Sequence, residues 1–532
     1  MKRVSTESPE PDSESLQMSL SHAGKNRVAL AAICLVALMF GLEISSVPVI
    51  LPTLEKVLHG DFRDMQWIMN AYTIACTTVL MAAGTLADRY GRKRILVVGI
   101  VLFGITSLVC GLAQNAPVLI ASRFLQGVSG GVMLICQLAV LSHQFQEGRE
   151  RSKAFAIWGV VFGMGLGFGP IIGGAIAALA SWEWVFLVHV PLSVAALALV
   201  LGSVEESSDP HAKKLDLPGI VTLSLAVFGL TWFITQGPDI GFASPLAIGI
   251  VATSAASFAV FLWVERINPH PMFDFSVFRI RNFSGSILGS IGMNFSFWPF
   301  MIYLPIYFQS GLGYDAVTAG SALLAYTLPT LLMPPLAERL SLRWRPGAVI
   351  PAGMFVIGLG FIAMRYGSSV AHASWMTMLP GCLLAGIGLG LTNTPVTNTT
   401  TGSVPSNRAG MASGIDMSAR LITLAVNIAL MGFILLEGIF SSLRNALPTS
   451  FAAQQLRPLA EKIAAGNFAS LVQGFPELAQ LDPSGAIVHA ALVKGFGSVM
   501  LYGGIGSWVL AAISLLIFGS RKPLAQPSGA CP

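Results

Sequence analysis

The sequence has 532 residues, of which 54% are hydrophobic and only 11% are charged, and its mean hydropathy is +0.71. These proportions exclude a water-soluble globular protein, because a soluble chain of this length needs more charge to keep its surface hydrated. The net charge of +5 does not indicate nucleic-acid binding, since the basic residues cluster in short loops between apolar segments, where they determine topology.

The apolar segments predict membrane-spanning helices. A helix that crosses the hydrocarbon layer of roughly 30 Å needs roughly 20 apolar residues, and this criterion predicts about fourteen spans. An even number places both termini on one side, and choosing the cytoplasm for that side assigns it about 22 of the 31 Lys and Arg residues. The first span follows a long polar stretch and has no small-residue cleavage pattern after it, so we expect it to be retained.

The order of the spans predicts two bundles with a pair of helices between them. Pro335-Leu336-Ala337-Glu338-Arg339 follows the tenth span much as Leu86-Ala87-Asp88-Arg89 follows the second, and repeated halves are typical of transporters. The predicted organisation is a polar cytoplasmic tail 1–27, an N-terminal six-helix bundle 28–204, two inserted linker helices 205–270, C-terminal bundle helices 271–440, an extracytoplasmic segment 441–495, a last helix 496–519 and a cytoplasmic tail 520–532.

Glu43 is an acidic residue inside the first predicted span. Ionisable side chains are costly within a membrane, so each one is a functional candidate. Burial favours the protonated form of a carboxyl group, and Glu43 would therefore take up and release a proton as its exposure changes. The alternative is a carboxylate that is hydrogen-bonded to a neighbouring helix for structural reasons.

A dense group of charges, GTLADRYGRKR from Gly84 to Arg94, separates the second and third spans. Its pattern, G-x-L-A-D-R-x-G-R-K, resembles the signature loop of major facilitator superfamily transporters. The resemblance implies an all-α integral membrane protein with the major facilitator fold, and a cytoplasmic gating loop that stabilises the outward-facing state. Alternatively, the cations serve only the positive-inside rule, although that rule does not explain Asp88 or the glycines. The gating-loop residues are Gly84, Asp88, Arg89, Gly91, Arg92 and Lys93.

Arg123 lies on the fourth span within Arg123-x-x-Gln126-Gly127, which matches a family motif whose arginine is implicated in proton coupling. The alternative is a structural arginine that binds backbone carbonyls of the first span or of a helix end. His143 and His189 stand alone in the sequence, and we expect both to be hydrogen-bonding helix residues rather than proton relays.

The fifth span carries two glycine ladders, Gly159-x-x-x-Gly163-x-x-x-Gly167 and Gly165-x-x-x-Gly169-x-x-x-Gly173. Small residues at every fourth position allow another helix to approach closely, and generic packing would explain one ladder. The two ladders together resemble the helix motif that distinguishes antiporters from symporters in the family. Its residues here are Gly163, Gly167, Gly169, Pro170, Gly173 and Gly174.

The ninth and tenth spans contain flat apolar side chains with a few polar groups, which suits a cavity for amphipathic or aromatic compounds. The alternative is that these aromatic residues are interfacial anchors. The candidate cavity residues are Asn294, Phe297, Trp298, Tyr303 and Tyr326.

Asp416 and Arg420 are four residues apart on the thirteenth span, so they share a helix face and are able to pair. One interpretation is an ion pair that lowers the insertion cost of both residues, and the other is a second proton or cation site facing the central cavity. In the following segment, residues 451–465 could form an amphipathic helix on the outer surface, but we expect a solvated connector.

The chain as a whole resembles the fourteen-helix drug:proton antiporters of the superfamily. The resemblance implies a proton-coupled efflux antiporter that exports amphipathic organic compounds from the cell across the plasma membrane. The six cysteines follow no metal or disulfide spacing and no phosphate-binding loop occurs, so we expect no metal, no cofactor and no enzymatic activity. The expected partners are a small-molecule substrate, protons and the lipid bilayer, with no nucleic acid, a possible adaptor protein at the outer segment, and function as a monomer.

Three other interpretations remain open at this stage. An uptake symporter or uniporter of the same superfamily would share the charged loop without needing the glycine ladders. Export of an endogenous metabolite would use the same machinery. A membrane-embedded enzyme is disfavoured, because the short loops supply no catalytic cluster near an aqueous face, and a sensor would transport no substrate.

Overall fold

A computed structural model describes residues 13–145, 148–208, 216–268, 275–370, 372–404, 409–448, 453–465, 478 and 481–519, and the predicted tail 520–532 lies outside these residues. All regular structure in the described part is helical, as the sequence predicted. The helices are α1 (Ser13–Val57), α2 (Phe62–Tyr90), α3 (Arg92–Gly111), α4 (Ala116–Gln144), α5 (Gly148–Leu179), α6 (Glu183–Leu187), α7 (His189–Ser203), α8 (Leu217–Ile240), α9 (Pro245–Ile267), α10 (Arg281–Phe295), α11 (Phe297–Ile306), α12 (Ala316–Thr327), α13 (Pro329–Leu332), α14 (Pro334–Trp344), α15 (Pro346–Ser368), α16 (Trp375–Gly402), α17 (Ala409–Ala446), α18 (Ala453–Ala465) and α19 (Ala486–Phe518), with a 3₁₀ turn at Phe275–Arg279 and a π turn at Tyr307–Gly311.

Twelve helices in the described part are long and apolar enough to cross a membrane. A thirteenth candidate is a bent span, in which the segment formed by α12 and α13 is followed by α14 at an angle of 45°. The second predicted span coincides with α2, which has 29 residues but is more polar because it carries Gln66, Asn70 and Thr73. The number of helices that cross the membrane and the side on which the termini lie therefore stay predictions.

Polar caps and prolines determine where several helices begin and bend. Asp61 accepts a hydrogen bond from the backbone N–H of Asp64 at the start of α2, and Asn115 accepts one from Val118 at the start of α4. Such side chains replace the bonding partners that the first turn of a helix lacks. The breaks before α13 and α14 each precede a proline, Pro329 and Pro334, whose ring cannot continue the helical hydrogen-bond pattern.

The helices pack into two groups that contact each other through a small number of elements. In the first group, α1 packs on α5 and α7, and α4 packs on α2 and α3. In the second group, α15 packs on α16 and α19, while α10 packs on α16, α17 and α19. Contacts between the groups join α5 to α12, α2 to α17 and α1 to α11, and α8 packs on α9 as well as on α2 and α17. The candidate site lies in the first group, beside this interface.

The segment after α17 contains a packed helix, so the expectation of a solvated connector is wrong for residues 453–465. Helix α18 packs on α17, α2 and α19, and Arg457 lies 3.1 Å from Glu437 of α17. Its apolar side chains Leu459 and Ile463 are fully buried. An amphipathic helix gains more from burying this face against protein than from remaining in water.

Candidate functional site

Glu43, Arg123 and His189 meet inside the first helix group. Glu43 lies in α1, Arg123 in α4, and His189 is the first residue of α7. Their exposed fractions are 0%, 0% and 1%. Arg123 Nη1 donates a hydrogen bond to Glu43 Oε1, and His189 Nδ1 lies 3.4 Å from Glu43 Oε2. The structure therefore joins two candidates from separate spans and adds a histidine that stands alone in the sequence.

The remaining contacts of Arg123 explain how its charge is accommodated. Its Nη1 donates to Gln126 Oε1 at 2.7 Å, and its Nε donates to the carbonyl oxygen of Ile68 at 3.1 Å. The guanidinium also lies over the Tyr72 ring, 4.3 Å from the centroid. A buried charge is tolerated when it is paired, and the ring adds to this pairing, although Nη2 of Arg123 has no hydrogen-bond partner among the described residues. Arg123 thus binds a carboxylate and a backbone carbonyl together, and that carbonyl belongs to α2 rather than to α1.

A narrow apolar cavity lies beside this cluster, between the two helix groups. Its walls come from α1, α2 and α4 on one side and from α11 and α17 on the other. Among the described residues that line it, Arg123 alone carries a charge. A pocket of this kind suits a compound with flat apolar surfaces. The lining residues are Phe40, Ile44, Pro48, Met69, Tyr72, Thr73, Cys76, Arg123, Trp298, Met301, Ile302, Leu421, Leu424 and Ile428.

Of the five residues predicted to form the substrate cavity, Trp298 alone lines this one, and the assignment of the other four stays a prediction. Phe297 and Tyr326 stack with centroids 4.0 Å apart, and the Tyr326 hydroxyl donates to the Phe297 carbonyl at 2.9 Å. The Tyr303 hydroxyl donates to the carbonyl of Ile428, while Asn294 donates to its own helix at Ser290. Tyr303 also accepts a hydrogen bond from Gln66 Nε2 of α2 at 3.2 Å, so it lies at the interface, whereas the bonds given for the other three stay within the second helix group.

Asp416 and Arg420 pair as their spacing predicts, with Arg420 Nη2 3.0 Å from Asp416 Oδ2. Arg420 also donates to Asn393 at 2.5 Å and to Thr397 at 3.0 Å on α16, and Ser290 of α10 donates to Asp416. Neither charged residue lines the cavity described above. The pair therefore connects three helices of the second group, and its role as a second proton or cation site stays a prediction.

The two glycine ladders of α5 face two different neighbours. An ideal Cβ on Gly173 would lie 2.7 Å from Ser46 Cβ of α1, and one on Gly169 would meet Ser45 of the same helix. A Cβ on Gly167 would instead lie 2.9 Å from Leu331 of α13, and one on Gly174 would lie 2.5 Å from the Ala316 carbonyl oxygen of α12. One ladder therefore packs within the first group, and the other lies at the interface with the second. Gly163 and Pro170 belong to the interface side, where they approach Leu331 and Gly320.

The charged loop after α2 is joined to the end of α7 by a residue that the sequence patterns missed. The Glu206 carboxylate accepts hydrogen bonds from the backbone N–H groups of Lys93 at 3.1 Å and Arg94 at 3.2 Å, at the start of α3. Gly91 makes room for this carboxylate, since a Cβ there would lie 2.6 Å from Glu206 Oε1. An acid directly after the sixth span, on the basic side of the protein, was the available signal.

The other gating-loop residues lie at the end of α2 and the start of α3. The side chain of Asp88 lies outside the described residues, so its role in stabilising the outward-facing state stays a prediction. Arg89 is exposed and lies over the Tyr90 ring at 5.5 Å, and a Cβ on Gly84 would touch Ile135 at 3.5 Å. The backbone N–H of Arg92 donates to the Ser207 carbonyl at 2.8 Å. His143 lies half-buried in the last turn of α4.

Comparison with known proteins assigns the chain to a family. Residues 33–426 match the model of the Major Facilitator Superfamily. The chain belongs to the major facilitator superfamily. It is 31% identical over 411 residues to the "Multidrug resistance protein Stp" of Mycobacterium tuberculosis (strain CDC 1551 / Oshkosh), covering 77% of this chain and 76% of the relative. The resemblance inferred from the loop motif is therefore confirmed.

Two further relatives are named for drug resistance. The "Tetracenomycin C resistance and export protein" of Streptomyces glaucescens is 28% identical over 524 residues, covering 96% of this chain and 94% of that protein. The "Quinolone resistance protein NorB" of Staphylococcus aureus (strain MSSA476) is 28% identical over 412 residues, covering 77% and 88%.

Solved structures share the fold at low sequence identity. A bacterial homologue of the human lysosomal transporter Spinster, in an inward-facing and unoccupied conformation, aligns with a TM-score of 0.60 at 16% identity over 93% of this chain and 97% of its own. The human organic anion transporter MFSD10 (TETRAN) aligns with a TM-score of 0.57 at 13% identity over 93% and 99%. The superfamily member described here is a multi-pass membrane transporter and not an enzyme.

Proposed function

We propose that this transporter exports amphipathic organic compounds from the cell in exchange for protons. The observation that carries the proposal is a buried acid, Glu43, paired with Arg123 beside an apolar cavity at the interface of the two helix groups. A membrane-embedded acid is retained where it binds an ion or pairs structurally, and its position next to the cavity favours ion binding. The names of the relatives, for multidrug and quinolone resistance and for tetracenomycin export, support organic compounds as cargo.

The proton gradient supplies enough free energy for this export without a nucleotide or another cofactor. One proton entering across about 100 mV releases about 2.3 kcal/mol, before any pH difference is added. A one-for-one exchange of a neutral compound would therefore sustain roughly a fifty-fold concentration gradient. Alternating access then requires the two helix groups to tilt around the cavity, as transporters built from repeated halves do. The plasma membrane is the membrane that would supply the gradient, and the expected unit is a monomer.

Proton movement in vesicles tests the exchange directly. Vesicles with an acidic interior, containing the transporter and a pH-sensitive dye, receive a fluorescent quinolone on the outside. We expect proton release from the vesicle when the quinolone is added, and no release when a protonophore has first collapsed the gradient. Proton entry coupled to uptake would indicate a symporter, and quinolone flux without proton movement would indicate a uniporter; either result would overturn the proposal.

Glu43→Gln is the informative variant, because glutamine keeps the size and hydrogen-bonding capacity of the side chain but binds no proton. We expect it to abolish coupled export while the protein remains inserted. Glu205→Gln provides the matched control, since Glu205 is exposed just after α7. Export that persists in Glu43→Gln at the level of this control would remove Glu43 from the mechanism.

A further inference from the structure

The surroundings of His189 determine which of its two ring nitrogens carries a hydrogen. Its Nε2 lies 3.2 Å from the backbone carbonyl oxygen of Met39 on α1, and the Phe103 ring packs edge-on at 5.6 Å. A carbonyl oxygen only accepts hydrogen bonds, so Nε2 must carry a hydrogen. In the neutral imidazole the other nitrogen, Nδ1, is then an acceptor with an unshared electron pair.

That acceptor faces a second acceptor. His189 Nδ1 lies 3.4 Å from Glu43 Oε2, and neither atom has another hydrogen-bond partner among the described residues. If both groups were unprotonated, two electron pairs would oppose each other between fully buried side chains, which is unfavourable. One added proton removes the conflict, because it gives either a carboxylic O–H that donates to Nδ1 or an imidazolium N–H that donates to Oε2.

We propose that Glu43 Oε2 and His189 Nδ1 form a two-residue site that binds a single proton between them, and that this is the exchanged proton. The inference rests on the proposed function for the role of the proton, although proton binding itself is measured separately. Arg123 occupies only the other carboxylate oxygen, Oε1, so Oε2 is left for the histidine. His189 is a positioning residue that sets where the proton lies and how tightly it is held.

Among the described groups around Glu43, the Glu43–His189 pair is the one whose charge changes when the proton binds. Tyr72 from α2 and Cys110 from α3 are close enough to interact electrostatically with Glu43. Helices α5 and α6 present glycines and Phe186 to this region, and the tyrosines of α11 and α12 donate their hydrogen bonds elsewhere. The cluster therefore has zero net charge without the proton, and one positive charge with it.

This change of charge couples the proton to cargo in the cavity. Arg123 belongs to the charged cluster and also lines the cavity, so an apolar compound that binds there displaces water from the positive side of the cluster. Loss of that water disfavours the form with a net charge more than the neutral form. Binding of cargo thus expels the proton, and binding of the proton weakens the site for cargo, which is the reciprocity that exchange requires.

Proton release from the purified transporter tests the site. A fluorescent quinolone is added to detergent-purified protein in weakly buffered solution over a series of pH values, and a pH indicator counts the protons released. We expect about one proton per bound quinolone in the wild type and none in Glu43→Gln. His189→Gln keeps a donor and an acceptor but binds no proton, and it should move the midpoint of release by at least about one pH unit, a tenfold change in proton affinity. His143→Gln, an equivalent change at the end of α4, should leave the midpoint unchanged.

A direct measurement needs no variant that might fold poorly. In protein with ¹⁵N-labelled histidine, magnetic resonance reports whether each ring nitrogen carries hydrogen, and His189→Asn identifies the signal. We expect His189 Nε2 to carry hydrogen at every pH. The resonance of Nδ1 should change with pH in step with proton release. An Nδ1 that is unaffected by pH and by Glu43→Gln would overturn the inference, as would a folded His189→Gln protein with the midpoint of the His143→Gln control.

The proposed function fails on a different result. If wild-type vesicles move quinolone without protons, exchange is wrong even when the resonance of Nδ1 demonstrates the shared proton. If vesicles exchange protons normally but His189 does not share one, the function stands and the two-residue site is wrong.

Discussion

At the scale of single residues, the central fact is that two opposite charges are held away from water and satisfy each other. Removing one partner of such a pair leaves the other buried and uncompensated, at a typical cost of about 3–5 kcal/mol. Glutamine at Glu43 still offers an oxygen to Arg123 Nη1, whereas alanine would not. Conservative substitutions therefore separate loss of proton binding from loss of the fold, and the experiments above use them for this reason.

Gly91 supports a first prediction, which concerns the charged loop between α2 and α3. Its φ of +114° strains any side chain, and a Cβ would lie 2.6 Å from Glu206 Oε1, which caps the start of α3. We expect Gly91→Ala to lower the free energy of unfolding by about 1–3 kcal/mol and to reduce export. Thermal unfolding of the purified protein and dye export from cells measure the two effects.

The control for this change is Gly202→Ala, near the end of α7, where a Cβ would meet nothing within 4 Å. It should leave both stability and export close to those of the wild type. Equal effects at Gly91 and Gly202 would contradict the idea that the loop depends on the space left for Glu206.

The rarity of charge within the spans identified Glu43, Arg123, Asp416 and Arg420 from sequence alone. Helical periodicity also predicted the Asp416–Arg420 pair, because both residues lie on one element. It could not predict that Arg123 binds Glu43, or that His189 completes the cluster, since these contacts depend on how α1, α4 and α7 pack. Glu206 was missed for the same reason, because the groups it caps lie more than a hundred residues earlier in the chain.

At the scale of helices, α5 packs against a different neighbour on each of two faces. One glycine ladder brings its backbone against α1, the helix that carries Glu43, and the other brings it against α12 and α13 across the interface. Small residues permit such close approach because no side chain separates the backbones. Two ladders in one helix are thus explained by two neighbours, and the role of these glycines as an antiporter motif stays a prediction.

Gly173 provides the prediction for this helix. An alanine Cβ there would lie 2.7 Å from Ser46 Cβ and 2.8 Å from its carbonyl oxygen, so the backbone of α1 would have to move. Overpacking of this kind costs about 1–3 kcal/mol, and displacement of α1 would also disturb Glu43 three residues earlier. We expect lower thermal stability and a larger loss of coupled export for Gly173→Ala, both measured on purified and reconstituted protein. Gly159→Ala, on the same helix with nothing within 4 Å of its Cβ, should have neither effect.

Helix α18 is expected to dock more firmly in acid. Burial raises the pKa of the Glu461 carboxyl above its ordinary value of 4.5, against the opposing effect of Arg63, which lies 3.9 Å away on α2. A raised pKa means that the docked state favours the neutral acid, so this contribution to docking is fully present below pH 4.5 and is lost as the pH rises through the raised pKa. Amide hydrogen exchange in α18, corrected for its intrinsic pH dependence, should therefore slow as the pH falls from neutral.

Glu461→Gln tests the assignment of this pH dependence. Glutamine is neutral at every pH, so exchange in α18 should remain slow and vary little with pH. A wild-type helix that exchanges faster in acid, or a variant with unchanged pH dependence, would show that another group controls docking.

At the scale of the whole molecule, each of the predicted spans coincides with a helix or with a broken helix. Periodicity and length were sufficient for that result, because the hydrocarbon layer constrains composition strongly. The breaks between α6 and α7, α10 and α11, and α12 and α14 were not predicted, since each depends on local packing as well as on proline or glycine. The contacts of Phe297, Tyr303 and Tyr326 could not be predicted, because aromatic character does not show which face of a helix is turned inward.

The contacts between the two groups determine how easily the protein changes state. In the predicted orientation, the hydrogen bond from Gln309 Nε2 to the Val49 carbonyl, 2.8 Å long, lies near the outer surface. A second bond runs deeper, from Thr327 Oγ1 on α12 to the Gly167 carbonyl on α5, also at 2.8 Å. Opening of the outer side must break both, so each one stabilises the state seen here.

Thr327→Val isolates one of these bonds, because valine keeps the shape of threonine and removes the hydroxyl. A hydrogen bond of this type contributes about 1 kcal/mol, so the ratio of closed to open molecules should fall roughly five-fold. Thr330→Val is the matched control, since the Thr330 hydroxyl donates only to the Thr327 carbonyl within its own helix group.

Spin labels at Leu179→Cys on α5 and Met376→Cys on α16 report the separation of the groups, because both positions are exposed and the described native cysteines are buried. In a Cys531→Ser background, the distance distribution should shift toward the longer separation for Thr327→Val alone. An equal shift in both threonine variants would mean that the bond across the interface does not determine which state is populated.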